Sequence, residues 1–168
     1  MKLRIPAPAR PLHVVLVEPE IPQNTGNIAR LCAATGSVLH LVEPLGFSTD
    51  ERAVRRAGLD YWHLVEVQRH PDLSHCLEQL GCAEPLLFAT GAERDLTAAP
   101  YRSGDALVFG RESRGLDAEL LAEHAERTFA IPTVAGSVRS LNLANAVAIA
   151  VYEALRRTGA LSCTLLEQ

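Results

Sequence analysis

The residues that could do chemistry lie in three polar loops, and the first of these ends on an arginine. Residues 18–30 read EPEIPQNTGNIAR and connect an apolar run to a helical pattern. Asn24 or Thr25 could cap that helix through its side-chain oxygen. Arg30 falls in the first turns of the helix, where its guanidinium could bind a phosphate or stabilise a developing oxyanion. A capped loop with a surface arginine is the alternative interpretation of this segment.

The second loop, residues 107–121, combines a glycine with a carboxylate and two arginines. Gly110 ends an apolar run and permits close backbone approach to a ligand, and Glu112 can accept hydrogen bonds. Ser113 lies in a strand–turn–helix pattern, as the nucleophile of a hydrolase would. Arg111, however, stands two residues earlier, where that motif requires glycine. The pattern therefore argues against a serine hydrolase.

The third segment, residues 129–157, leads from a strand through a loop of small residues into an apolar helix. Ser140 has the residue type of an N-cap for this helix, which is predicted to run from about 141 to 157. One side of the helix is wholly apolar, so the helix should be mostly buried. Asn142 and Asn145 on the other side are either buried amides paired with backbone or braces of a ligand loop or subunit interface.

Alternating strands and helices must position these loops. Apolar runs typical of buried strands alternate with helical patterns along the chain, which predicts an α/β fold with a mostly parallel sheet flanked by helices. Ligands of such sheets bind beyond the carboxyl ends of the strands, where the loops lie. We expect a flexible leader over residues 1–11, one domain over 12–157 and a C-terminal tail over 158–168.

Composition and missing motifs narrow the function. The chain has 168 residues and a formal charge of −4, which argues against a protein that coats nucleic acid non-specifically. Its cations are nearly all arginine, which suits local phosphate contacts. The chain has no secretory signal or apolar stretch of bilayer length, so we expect a cytoplasmic protein without membrane contact. It also has no dinucleotide fingerprint or P-loop, and its cysteines and histidines lack metal-site spacing, so no metal is expected.

Taken together, the three motifs resemble those of the SPOUT superfamily of RNA methyltransferases. Within it, the chain is most similar to the small tRNA 2′-O-methyltransferases that modify the wobble nucleotide of the anticodon. The resemblance covers residues 12–157. The segments that carry it are, in chain order, PQNTGNIAR, LHLVEPLGF, RRAGLDYW, LVFGRESRGL and IPTVAGSVRSLNLANAVAIAVYEALR.

The resemblance implies a fold, a cofactor and a substrate. The fold would be an α/β domain with a deep C-terminal trefoil knot, working as a homodimer with the active site at the interface. The reaction would be methyl transfer from S-adenosylmethionine to the ribose 2′-hydroxyl of a wobble cytidine or (modified) uridine in the tRNA anticodon loop. The positions that would bind the methyl donor are Thr90, Gly110, Ile131, Ser140 and Leu141.

The resemblance also implies a catalytic role for Arg30. Because arginine stays protonated, we interpret Arg30 as an oxyanion stabiliser and phosphate anchor, with proton loss aided by a neighbouring phosphate or water. We assign four other motif residues to bracing the loops and the RNA: Asn24, Glu112, Ser140 and Asn142. Arg111 replaces the proline that the family usually has in the second motif, which predicts a looser turn.

Arginines and aromatic side chains are expected to hold the RNA. Arg52, Arg55 and Arg56 share one face of a predicted helix over residues 50–57. Unpaired anticodon bases can stack on aromatic side chains. The other candidate RNA contacts are Arg114, Arg139 and Tyr152. Two alternatives stay open at this point: a non-catalytic RNA-binding relative of the fold, and a 2′-O-methyltransferase that acts on another tRNA or rRNA site.

Overall fold

A six-stranded parallel sheet forms the centre of the computed structural model, which describes residues 2–48, 62–162 and 164–166. The strands are β1 (Lys2–Arg4), β2 (His13–Val17), β3 (Val38–Val42), β4 (Val67–His70), β5 (Leu86–Phe88), β6 (Ala106–Phe109), β7 (Thr128–Phe129) and β8 (Thr164–Leu166). The helices are α1 (Pro22–Thr35), α2 (Leu73–Leu80), α3 (Ala118–Glu123) and α4 (Leu143–Arg157). Short 3₁₀ turns cover Trp62–Leu64, Leu96–Ala98 and Ala125–Arg127. The predicted fold class is confirmed.

The order of the strands creates a natural ligand position beside β2. The sheet runs β4-β3-β2-β6-β5-β7, and every neighbouring pair in it is parallel. From β2 the chain moves to one side for β3 and β4, and to the other side for β5, β6 and β7. Ligands of parallel sheets bind outside the carboxyl ends of the strands at such a reversal. The loops after β2 and β6 both begin there.

Helices cover both faces of the sheet. On one face α1 and α4 pack on the strands through side chains such as Ile28 and Val151, which are fully buried. On the other face α2 and α3 cover a second cluster that includes Val15 and Val108. Full burial of one aliphatic side chain contributes about 1.5–3 kcal/mol, so both layers hold the strand ends in fixed positions. No helix within the described residues is long and apolar enough to cross a membrane.

Helix α1 begins earlier than a cap at Asn24 or Thr25 would require. Its N-cap is Ile21, which makes no side-chain cap bond, and Pro22 follows at the first helical position. Proline suits that position because its φ is already helical and it has no N–H to satisfy. Asn24 and Thr25 are buried in the first turn instead, and Gly36 ends the helix in the left-handed conformation at φ 65°. The capping prediction was wrong, and Asn24 is left available for other contacts.

Helix α4 is capped by Asn142, not by Ser140. The Asn142 side-chain oxygen accepts hydrogen bonds from the backbone N–H of Ala144 at 2.9 Å and of Asn145 at 3.4 Å. The prediction that Ser140 caps the helix was therefore wrong, and the cap lies two residues later in the chain. The predicted burial of the apolar side is confirmed, since Val147 and the residues that follow it on that face are buried.

Segments predicted to lie outside the domain pair with each other. Residues 2–4 of the predicted leader form β1, and residues 164–166 of the predicted tail form β8. The two strands are antiparallel, with Leu3 opposite Leu165. The predicted helix over residues 50–57, with Arg52, Arg55 and Arg56, lies outside the described residues.

Four histidines form a hydrogen-bonded row across one side of the sheet. His13 Nδ1 and His40 Nε2 are 2.9 Å apart, and His40 Nδ1 and His70 Nε2 are also 2.9 Å apart. The row ends at His75, whose Nδ1 lies 3.3 Å from Nδ1 of His70. Burial lowers the pKa of His40 to about 3, so its ring is uncharged at neutral pH.

Candidate active site

A cavity of about 510 Å³ lies beyond the carboxyl ends of β5, β6 and β7. Its volume falls in the range of about 300–1,000 Å³ that is typical of small-molecule sites. Its lining includes all five positions at which the resemblance places the methyl donor: Thr90, Gly110, Ile131, Ser140 and Leu141. These residues follow three different strands, so the fold brings together what the sequence distributes over 52 positions.

Stacked aromatic rings form part of the cavity wall. Phe88 ends β5 and Phe109 ends β6, and both line the cavity. Their ring centroids are 4.9 Å apart with an interplanar angle of 10°. Because β5 and β6 pair in parallel with Phe88 opposite Phe109, the register of the sheet sets this contact. The rings give the cavity an apolar wall beside the polar loops.

Gly110 is required by the loop that it begins. A Cβ atom at this position would lie 2.1 Å from the carbonyl carbon of Gly115 and 2.3 Å from its oxygen. The same turn is closed by two backbone hydrogen bonds, from Arg111 N to Gly115 O at 3.2 Å and from Gly115 N to Arg111 O at 2.8 Å. The predicted close approach of backbone at Gly110 is thus made to the loop itself.

The turn that contains Arg111 is not loose, although arginine replaces the expected proline. Arg111 Nε donates to Glu18 Oε2 at 2.8 Å, and its Nη1 donates to Asp117 Oδ1 at 2.9 Å. These carboxylates raise the pKa of Arg111. The arginine links the end of β2 to the start of α3, and it does so through a side chain that is only 17% exposed. Charge pairing thus holds the turn where proline would have restricted the backbone.

Glu18 occupies an unusual backbone conformation at this junction. Its φ of 50° is the one positive value recorded for a non-glycine residue in the described ranges. Such a conformation costs of order 1 kcal/mol and persists only where surrounding contacts impose it. The backbone N–H of Glu18 donates to Val42 O at 2.9 Å, while its carboxylate accepts from Arg111. The strain directs the first motif loop away from the sheet and toward the second.

Glu112 fixes the start of the first motif. Its carboxylate accepts hydrogen bonds from the backbone N–H of Glu20 at 2.8 Å and of Ile21 at 3.1 Å. It also accepts from Asn24 Nδ2 at 3.1 Å. These donors lie at or before the first turn of α1, where backbone N–H groups have no partner within the helix. Glu112 therefore holds the backbone directly before α1, at the N-cap residue Ile21 and at Glu20.

Asn24 and Asn142 extend this network to the third motif. Asn142 Nδ2 donates to Asn24 Oδ1 at 2.9 Å, while Asn142 Oδ1 caps α4. A continuous set of hydrogen bonds thus runs from Glu112 through Asn24 to the first turn of α4. The three residues were assigned to bracing from the resemblance alone, and the structure places them in direct contact.

Replacing Asn142 with alanine is expected to lower the free energy of unfolding by about 1–2 kcal/mol, because a cap and a part-buried hydrogen bond to Asn24 are lost together. Asn142→Asp keeps the capping oxygen but loses the donor to Asn24, so its loss should be smaller. Asn145→Ala, one turn into the same helix, is the matched control and should change stability little. Urea denaturation measures all three. Equal stability of the Asn142→Ala and Asn145→Ala variants would contradict the bridging role.

A second pair of residues joins the first two motifs and was missed in the sequence. The Glu20 carboxylate accepts from the backbone N–H of Ser113 at 2.8 Å and from its hydroxyl at 2.9 Å. These hydrogen bonds lower the pKa of Glu20. The available signal was the acidic pair around Pro19, directly before the motif. Ser113, considered above as a nucleophile, instead donates its hydroxyl proton to a carboxylate within the scaffold.

Arg30 is not among the residues that line the cavity of one chain. It is exposed on α1, six residues beyond Asn24, which does line the cavity. At about 1.5 Å per residue, that separation is roughly 9 Å along the helix axis. Of the candidate RNA contacts, Arg114 and Arg139 are exposed in the cavity wall, and Tyr152 is exposed on α4.

Comparison with known proteins identifies the family. The model of the SpoU rRNA Methylase family matches residues 11–152. This chain belongs to that family. The match includes all three motif loops and all residues that line the cavity. The resemblance to RNA methyltransferases is therefore confirmed.

The match to similar members of the family extends over nearly all of their length. A protein of Escherichia coli K12 named tRNA (cytidine(34)-2′-O)-methyltransferase is 49% identical over 149 residues, which are 88% of this chain and 94% of the relative. A solved structure described as giving insights into the 2′-OH methylation of C/U34 on tRNA has a TM-score of 0.79 at 48% identity, and the match covers 88% of this chain and 96% of that one.

A more distant structure of the same fold contains the methyl donor. The AdoMet-bound rRNA methyltransferase from Sinorhizobium meliloti has a TM-score of 0.74 at 25% identity. The match covers 90% of this chain and 59% of that one, so that protein has a large part with no counterpart here. That rRNA methyltransferase therefore binds AdoMet on a similar fold.

Proposed function

We propose that this chain is an S-adenosylmethionine-dependent tRNA methyltransferase that methylates the ribose 2′-hydroxyl of nucleotide 34, a cytidine or (modified) uridine. The observation that carries the proposal is the convergence of the five donor positions on one cavity beside the Glu112–Asn24–Asn142 network. The choice of substrate is supported by the sequence identity of 49% to the Escherichia coli tRNA (cytidine(34)-2′-O)-methyltransferase, over nearly the full length of that protein.

The cavity suits a donor with apolar and polar parts. Phe88 and Phe109 offer an apolar wall, and the backbone of the loops around Thr90, Gly110 and Leu141 offers hydrogen-bonding groups. When bound, S-adenosylmethionine supplies an electrophilic methyl group on its sulfonium. The protein needs neither a metal nor a covalent intermediate for such a transfer. Its contribution is to hold the two reactants in line, which can supply several kcal/mol of the barrier.

Arg30 would act on the accepting hydroxyl. Loss of its proton leaves negative charge on the ribose oxygen, and a guanidinium stabilises that charge by a charge-assisted hydrogen bond. The same group can hold an adjacent phosphate of the RNA, which orients the ribose. A phosphate oxygen or a water accepts the proton, since arginine itself stays protonated.

The position of Arg30 and the apolar surface both favour a homodimer. One chain does not place Arg30 in its own cavity wall, so a second copy that brings Arg30 to the cavity mouth would complete the site. Large apolar side chains are exposed on the loop before α4 and on α4 itself, namely Val134 (79%), Val138 (62%) and Ile149 (41%). Exposed apolar groups clustered around a functional loop are typical of a subunit interface.

The Ile149→Asp variant is expected to dissociate the dimer, because it places a charge on the exposed apolar face of α4 that the interface would bury. Sedimentation equilibrium should then give the chain mass of 18.2 kDa in place of twice that value. Leu64→Asp is the matched control, since Leu64 is 60% exposed in the 3₁₀ turn Trp62–Leu64 and belongs neither to α4 nor to the loop before it. A wild-type protein that sediments as a monomer would refute the dimer without affecting the donor site.

The substrate is tested by nucleoside analysis of RNA after incubation with the protein and S-adenosylmethionine. Mass spectrometry is expected to find new 2′-O-methylcytidine or 2′-O-methyluridine in tRNA. New 2′-O-methyl groups only in ribosomal RNA would refute the tRNA assignment while keeping the enzyme class. Absence of any RNA methylation by folded protein that binds the donor would favour a non-catalytic RNA-binding relative.

A further inference from the structure

Three side chains with metal-ligating atoms converge where β3, β4 and α2 meet, away from the cavity. They are His40 from the middle of β3, His70 from the end of β4 and Cys76 from α2. One ligand atom from each lies within 4.8 Å of the others, and all three residues are buried. None of them lines the donor cavity, so methyl transfer leaves them without a role.

We propose that His40, His70 and Cys76 form a binding site for a transition-metal ion, with Zn²⁺ as the ion that fits best. Two imidazoles and a thiolate are ligands that Zn²⁺ prefers, and three protein ligands leave a fourth tetrahedral position for water. Magnesium and calcium prefer oxygen ligands, and no carboxylate belongs to this cluster.

The row of histidines orients the two imidazole ligands in advance. His40 uses Nε2 to bond His13, and His70 uses Nδ1 to bond His75. The inner nitrogens, His40 Nδ1 and His70 Nε2, therefore face each other at 2.9 Å. Metal-ligating histidines ordinarily bond a second partner through the other ring nitrogen, which fixes the ring and its tautomer. His13 and His75 supply that support here.

The two inner nitrogens need to move apart only slightly to accept the ion. Two nitrogens about 2.0–2.1 Å from a tetrahedral zinc ion are about 3.3 Å apart, which is slightly more than the 2.9 Å between the inner nitrogens. Binding replaces the hydrogen bond between the inner nitrogens with two metal–nitrogen bonds and one metal–sulfur bond. The ring that carried the proton of that hydrogen bond releases it and takes up a proton on its outer nitrogen from its partner histidine, which regains one from solvent, so every ring stays neutral. The Cys76 thiol loses its proton to solvent as the metal–sulfur bond forms. His75, at the end of the row, is only partly buried.

The site would act as a structural clamp. Within the part of the chain that the structure describes, β4 lies at one edge of the sheet and pairs only with β3. An ion held by His40, His70 and Cys76 would link that edge strand to its neighbour and to the helix that covers it. Because the ligands are assembled only in the folded chain, binding would raise the stability of the native state.

Titration of the metal-free full-length protein with Co²⁺ tests the site, because tetrahedral cobalt absorbs visible light and its thiolate bond gives a near-ultraviolet charge-transfer band. We expect one Co²⁺ per chain with both signals, and displacement by Zn²⁺. Cys76→Ser should abolish the charge-transfer band and weaken binding at least tenfold. Cys32→Ser is the matched control, since Cys32 is equally buried but lies in α1 on the opposite face of the sheet.

Further measurements keep the proposal testable if Cys76→Ser folds poorly. His75→Ala removes a partner of His70 without removing a ligand and is expected to weaken Co²⁺ binding by about 10–100-fold. Zn²⁺ should raise the melting temperature of the wild-type protein, and a chelator should reverse the rise. Folded wild-type protein that shows no cobalt spectrum, or a charge-transfer band that survives in Cys76→Ser, would overturn the proposal.

Discussion

Replacement of Arg30 with alanine is expected to lower the rate constant of methyl transfer by about 10²–10³-fold, the usual effect of removing a group that stabilises a developing oxyanion. Donor affinity should stay nearly unchanged, because Arg30 does not line the cavity that holds the donor positions. Single-turnover rates with saturating tRNA and calorimetric titration with S-adenosylmethionine separate the two quantities.

Two variants make this measurement specific. Arg30→Lys keeps the charge but loses the forked donor geometry, so it should retain only part of the activity. Arg102→Ala removes an equally exposed arginine before the amino end of β6, opposite the cavity, and should leave the rate unchanged. Weakened donor binding with normal turnover in Arg30→Ala would mean that the residue is a donor contact and not a catalytic group.

Gly110→Ala is expected to abolish donor binding and to lower the free energy of unfolding by about 3 kcal/mol or more. The added Cβ would lie 2.1 Å from the carbonyl carbon of Gly115 and 2.3 Å from Leu116 N, and both are backbone atoms that cannot rotate away. Overpacking of a fixed backbone contact costs at least as much as overpacking of a core. The loop must open, which displaces Glu112 and with it the start of α1.

The chain provides a matched control for this substitution. Gly91 also lines the cavity, but a Cβ atom there would meet nothing within 4 Å. Gly91→Ala should therefore keep wild-type stability in urea denaturation. A Gly110→Ala protein with the stability and donor affinity of the Gly91→Ala protein would show that the closed turn is not needed.

Local sequence patterns predict the strands and helices of this fold because neighbouring residues determine where these elements form and end. The apolar runs of the parallel strands and the glycines that end α1 and α2 are examples, since Gly36 and Gly81 both take the left-handed conformation. The caps at the start of α1 and α4 were mispredicted because the contacts made there involve distant segments of the chain. Asn24 donates a hydrogen bond to Glu112, which is 88 residues away, and Asn142 donates one to Asn24, which is 118 residues away.

Contacts between distant segments explain the other differences. Arg111 predicts a loose turn when only the turn is considered, but its partner Glu18 lies 93 residues earlier. The spacing of histidines and cysteines predicts no metal site, yet His40 and His70 come from adjacent strands 30 residues apart. The donor positions were placed by resemblance to a family and not by periodicity. The trefoil knot that the same resemblance implies stays a prediction.

In the proposed reaction the accepting atom is the 2′-oxygen of nucleotide 34, and two matched substrates test this directly. Two synthetic anticodon stem-loops, with ribose or with 2′-deoxyribose at position 34 only, are incubated with the protein and with S-adenosylmethionine labelled in its methyl group. The proposal predicts label in the ribose stem-loop and none in its 2′-deoxy counterpart. Equal labelling of both would contradict it, because the methyl group would then reside on a base or on another nucleotide.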